Sequence, residues 1–147
     1  MIKDNITKMI GEAMKAHDEL RLMTLRMLSS ALNYEFIALQ HSLNSEEEIK
    51  VVKKEAKMRK DAIEAYEKAG AKDRADKERQ ELEILKEFMP EEMGDEELNQ
   101  LVSNAINQLG AKTLSDMGKV IGMVMDKSGG RADGGKVAQL VKAKLNI

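Results

Sequence analysis

Apolar residues recur three and four apart along almost the whole chain, and nowhere alternate for long enough to mark a strand. The pattern predicts a first helix over residues 5–16, with Ile6, Met9, Ile10 and Met14 on one face. A second follows over 18–40, carrying a seam of Leu25, Leu28, Leu32, Glu35 and Leu39. Ser45, followed three residues later by Glu48, has the spacing of a capping box, in which side chain and backbone satisfy each other at a helix start. The third helix runs from there to about residue 69, with Gly70 as its left-handed stop, and a fourth spans 73–89 ahead of Pro90. The short turn between these two predicts an antiparallel hairpin.

Pro90, Gly94 and the acids around them break the periodicity and mark a boundary. Beyond it, Asp95 is placed to cap a fifth helix that turns Leu98, Leu101, Val102, Ala105 and Ile106 inward and closes at Gly110. Thr113 and Asp116 form a second capping-box pattern at the start of a sixth helix, and Asp133 caps a seventh that buries Val137, Leu140, Val141 and Leu145. The expected fold is all-α: an N-terminal helical hairpin or bundle over 1–92, then a small three-helix tail domain over 95–147.

Composition sharpens this in a few places. Aromatics make up 3% of the chain and tryptophan is absent, so aliphatic side chains and eleven methionines must fill the interior. There is no cysteine, hence neither a disulfide framework nor thiolate chemistry. No uncharged apolar stretch approaches the length of a membrane span and no signal-peptide pattern opens the chain, so a cytoplasmic location is the default expectation. The net charge is −2, yet residues 112–147 hold seven bases against three acids, a modest attraction for an anionic partner.

Polar residues inside apolar seams are the first candidates for chemistry. Glu35 interrupts the seam of the second helix, Arg59 that of the third and Glu78 that of the fourth. Folding the hairpin about residues 70–71 brings position 59 near 78–82, so the pattern predicts that Arg59 pairs with Glu78, and with Glu35 as a further partner. Such a cluster fixes helix register; the competing reading is a paired-carboxylate catalytic site. His17 and His41 lack partners at metal-ligand spacing, so no metal site or cofactor is expected.

Gly130 to Lys136 has the GxxxxGK spacing of a phosphate-binding loop, but Val137 follows where Ser or Thr should hold magnesium, and a helical pattern precedes it. It reads instead as a glycine-rich turn between short helices. Gly118 and Gly122 leave one face of the sixth helix without side chains, which permits close approach by a helix or a ligand.

The segments 26–32 (RMLSSAL), 88–91 (FMPE), 116–120 (DMGKV) and 130–134 (GRADG) occur in an order that resembles the GatB/YqeY family over essentially the whole chain. The resemblance extends to the C-terminal region of the B subunit of the tRNA-dependent amidotransferase. It implies a helical body followed by a small helical tail that engages tRNA, with the amide-transfer chemistry housed in a separate domain for which this chain has no room. Asp116, Met117, Gly118, Lys119, Gly130, Arg131, Asp133 and Gly134 match the family pattern, while Gly135 before Lys136 departs from it. The resulting expectation is a non-catalytic tRNA- or RNA-binding accessory module, with Lys119, Lys127, Arg131 and Lys136 as phosphate contacts and no catalytic residues. One alternative is an accessory factor that docks a protein of the translation or tRNA-modification machinery through an exposed apolar stripe on the second or third helix. Another is glutamine-dependent amide transfer inherited from the larger enzyme.

Overall fold

The computed structural model describes residues 1–146; the last residue of the expected tail domain, Ile147, lies outside the described residues. Seven α-helices and no strand occur among the described residues, so the protein is all-α. The chain divides into two compact units, Met1–Met89 and Pro90–Ile147.

The first unit holds α1 (Ile2–Lys15), α2 (Glu19–Leu39), α3 (Ser45–Lys68) and α4 (Lys72–Lys86). Its core is built from Ile6 and Ala13 of α1, Leu25, Leu28 and Leu32 of α2, Val51 and Val52 of α3, and Leu85 of α4. Leu43 closes it from the α2–α3 connection. Thr24 is buried in the middle of α2, where its hydroxyl donates to the Leu20 carbonyl one turn back and so is itself satisfied. Gly70 takes a left-handed φ of 71° and turns α3 back as α4, giving the antiparallel hairpin that the sequence predicts.

The start of α3 is one residue out of step with the sequence reading. Asn44, not Ser45, is the cap, and its box partner is Glu47 rather than Glu48. Glu48 does something else. Its side chain is buried, 1% exposed, and its carboxylate accepts from the backbone amides of Ile2 (2.8 Å) and Lys3 (3.1 Å). These are orphan donors in the first turn of α1, where a negative charge also complements the helix dipole. A side chain of α3 thus caps α1, which has no cap from its own preceding residue.

The second unit holds α5 (Asp95–Leu109), a 3-10 turn at Leu114–Asp116, α6 (Met117–Lys127) and α7 (Gly134–Leu145). Leu98, Val102, Ala105, Val120, Val124, Val137 and Val141 form its core, sealed by Met93, Ala111 and Ala132. Gly94, not Asp95, occupies the cap position of α5, leaving Asp95, Glu96 and Glu97 in the first turn against the positive end of the dipole. Asp116 does close a box with Thr113, and the Asp133 side chain accepts from the Lys136 amide to cap α7, as the sequence indicates.

We predict that Glu48→Ala costs about 2 kcal/mol, because two charge-assisted bonds to orphan amides are lost. Glu47→Ala, which removes the capping-box partner of Asn44 and a contact with His41, costs about 1 kcal/mol or less. Hydrogen exchange separates the two: Glu48→Ala releases the α1 amides selectively, while Glu47→Ala affects the first turn of α3.

Candidate functional site

The sequence-predicted polar cluster exists in the first unit, with different partners. Arg59 is buried, 4% exposed, as its seam position requires. Its Nη1 lies 2.7 Å from Glu55, one turn back on α3, and its Nε lies 3.5 Å from Glu81 of α4. Glu78 is therefore not the direct ion-pair partner of Arg59, and Glu35 is not among its ion-pair partners either. The turn at Gly70 decides this: positions 59 and 81 lie eleven residues to either side of it, whereas 78 is a turn too close. Glu78 instead stands beside Glu81. Burial pushes the Glu81 carboxyl above the usual carboxylate range, and the negative charge of Glu78 raises it further. Arg59 and Lys77 pull the other way, and a hydrogen bond with Glu78 again favours the protonated form.

Arg59 also reaches α2. Its Nη2 lies 3.6 Å from the sulfur of Met27, so one guanidinium touches three helices. Above it opens a groove of about 650 Å³ between α2 and α3, with Met23, Met27, Tyr34 and Met58 among its walls and Glu55 and Arg59 at its edge. Sequence reasoning did not single out these apolar residues. Yet Met23, Met27, Ser30, Tyr34 and Ile37 are spaced four, three, four and three, a heptad seam on the face of α2 opposite the buried leucines. All five are exposed, Tyr34 at 75% and Ile37 at 65%. Helix α2 is thus apolar on both faces while only one is covered in this unit.

The cations proposed from sequence lie in the second unit, and most are engaged there. Arg131 is half-buried; its Nε donates to the Glu91 carbonyl (3.2 Å) and its outer nitrogens reach Glu97 (3.3 Å). The Arg131 carbonyl in turn accepts from the Met93 amide at 2.9 Å. Arg131 therefore clasps the segment entering the unit to the α6–α7 turn. Lys136 lies 3.5 Å from Glu92, and Lys127 donates to Gln108 at 2.9 Å. Taken over residues 90–147 there are eight acids against seven bases, so the basic excess beyond Lys112 meets its counter-charge inside the same unit.

Lys119 is exposed on α6 between Gly118 and Gly122, where an added Cβ would meet no atom within 4 Å. The two glycines thus face open space rather than a neighbouring helix. Asp116, at the start of this helix, is held below the ordinary carboxylate range by the amides of Lys112 and Thr113, with the Thr113 hydroxyl adding to them.

The GxxxxGK segment does not form a phosphate loop. α6 rather than a strand leads into it, and Gly134, Gly135 and Lys136 are already the first turn of α7. Gly135 accordingly belongs to that helix and does not loosen the turn; a Cβ there would sit 3.2 Å from the capping carboxylate of Asp133. No group of three or more metal-ligating side chains, and no helix long and apolar enough to cross a membrane, occurs among the described residues.

The Glu81 environment has a signed consequence for pH. Because the folded-state carboxyl titrates above its unfolded value, the folded protein binds a proton first as pH falls. The local stability of the α3–α4 hairpin therefore rises from neutrality down to the ordinary carboxylate range. Glu81→Gln should abolish that pH-dependent rise in the hairpin-amide protection read by hydrogen exchange. Arg59→Met should instead cost about 3 kcal/mol at neutral pH by leaving two carboxylates without their counter-charge; an unchanged unfolding midpoint would remove Arg59 from the hairpin's support.

A sequence profile described as that of the Yqey-like protein matches residues 3–145, spanning both units. A protein of Schizosaccharomyces pombe, itself described as uncharacterized, is 31% identical over 86 residues, covering 58% of this chain and 70% of its own length. With the profile running through the hairpin body, the α6 glycine face and the α6–α7 turn alike, the chain belongs to the YqeY-like protein family.

Proposed function

We propose that this chain is a non-catalytic accessory module that works by docking, with the outer seam of α2 as its protein-binding face. The observation that carries this reading is the second heptad stripe, Met23, Met27, Ser30, Tyr34 and Ile37, left exposed beside a methionine-lined groove. Exposed contiguous apolar surface of this kind marks interaction sites, and methionine adapts its shape to a partner helix. The raised carboxyl of Glu81 sits against a guanidinium that joins helices, an arrangement that serves packing more directly than proton transfer.

A specific observation also favours an RNA contact in the second unit, and with it a role in tRNA metabolism in keeping with the amidotransferase tail that the sequence resembles. Gly118 and Gly122 leave the backbone of α6 open beside Lys119, so a phosphate backbone could lie against the helix. Lys136 pairs with the exposed Glu92, and the outer nitrogens of Arg131 with the exposed Glu97; such surface pairs exchange readily for phosphate. Binding by few cations is weak and strongly salt-dependent.

Two arms test these readings. Labelled bulk tRNA titrated at low salt should bind weakly, and Lys119→Ala/Lys136→Ala should reduce affinity roughly tenfold while leaving the clasp residue Arg131 in place. Absence of binding, or equal binding by the double variant, removes the RNA contact. Tagged wild-type and Ile37→Glu chains at native expression should differ in the proteins they retain; identical retention removes the α2 seam as a docking face.

A further inference from the structure

We propose that the occupant of the α2 seam is a second copy of this chain, packed antiparallel across a two-fold axis between Met27 and Ser30. This rests on the reading of that seam as a docking face and commits it to one partner. A heptad stripe calls for a helix with a matching stripe, and the seam is complementary to itself. Two copies of α2 laid antiparallel about that axis place Tyr34 against Met23 of the other copy and Met27 against Ser30. Ile37 then meets Leu20, which is half-buried one turn before Met23. Each large residue at the centre faces a small one: Ser30 leaves the space that Met27 fills, and a thioether against the Tyr34 ring is a favourable contact in its own right.

The flanks agree with the same register. Arg26 and Glu19 lie on the polar edge of the stripe together with Asn33, all exposed. The antiparallel register sets Arg26 opposite Asn33, a charge against a neutral amide. The other edge carries Ala31 and Ala38, small enough for close approach, and there Met58 of α3 stands beside the groove. The two-fold places both α3 helices on this edge, making a four-helix layer of α2 and α3 from each copy. From Leu20 to Ile37 the contact spans about 25 Å at 1.5 Å per residue, a small interface by the standard of stable dimers, so association should depend on concentration. A dimer also carries two second units, and two weak anion-binding surfaces on one assembly gain by effective concentration.

Sedimentation velocity of the purified full chain, from about 1 to about 200 μM, reads the assembly directly in the range such an interface requires. Mass should rise from one chain to two, and Tyr34→Glu should shift the half-association point at least tenfold without altering the far-ultraviolet spectrum. Since Tyr34 is largely exposed, the substitution does not threaten the fold; Ile37→Glu serves as a second variant with the same expectation.

The chain has no cysteine, so register can be tested with single replacements and a short thiol crosslinker. A mixture of Met23→Cys and Tyr34→Cys proteins should crosslink efficiently, and either alone poorly. A chain that stays monomeric throughout, or a dimer unaffected by both seam variants, overturns the second copy as occupant. If the monomeric chain still loses a retained protein on Ile37→Glu, the docking face stands and only its occupant is wrong. If that retention is also unchanged, both fall.

Discussion

A single guanidinium ties the first unit together. Arg59 leaves α3, bonds Glu55 on its own helix, faces Glu81 across the hairpin and rests a nitrogen against the Met27 sulfur of α2. Three helices thus meet at one planar cation. Burying it is costly unless its charge is balanced, and the two carboxylates provide that balance at the expense of desolvating Glu81. The exposed groove opens beside this junction, with Met27 and Met58 on its walls and Glu55 and Arg59 at its edge.

Most of the fold is legible from spacing alone, because helical periodicity and turn glycines are local signals. Gly70, Gly110 and Asp133 sit where the sequence places them. The misplacements arise where two local solutions are equivalent. Asn44 with Glu47 and Ser45 with Glu48 satisfy the same capping rule. What separates them is tertiary: Glu48 is taken by amides 45 and 46 residues away, a demand invisible to a local window. The choice between Glu78 and Glu81 is of the same kind. Both follow from a hairpin centred near Gly70, and the seam pattern favours 78 while the geometry of the turn selects 81.

The candidate sites were less legible, for opposite reasons in the two units. In α2 the outer stripe is present in the sequence, but the leucine seam on the other face dominates the pattern, and apolar residues on two opposite faces leave little net amphipathic signal. In the second unit the cations are easily seen, yet their counter-charges are distant in sequence. Glu92 lies in the segment that enters the unit and Glu97 in the first turn of α5, and only folding sets them against Lys136 and Arg131. A charge count taken along the chain thus overstated the positive field of the folded tail.

The carboxylate of Glu48 imposes an order on the birth of this protein. A 14-residue helix such as α1 is marginal in water by itself, and here its first amides wait for an acceptor encoded some 45 residues downstream. The first turn of α1 therefore gains its cap only once the start of α3 is in place. The apolar face of α1, Ile6 and Met9 included, can pack with α2 before then, but its first turn stays uncapped until Glu48 arrives.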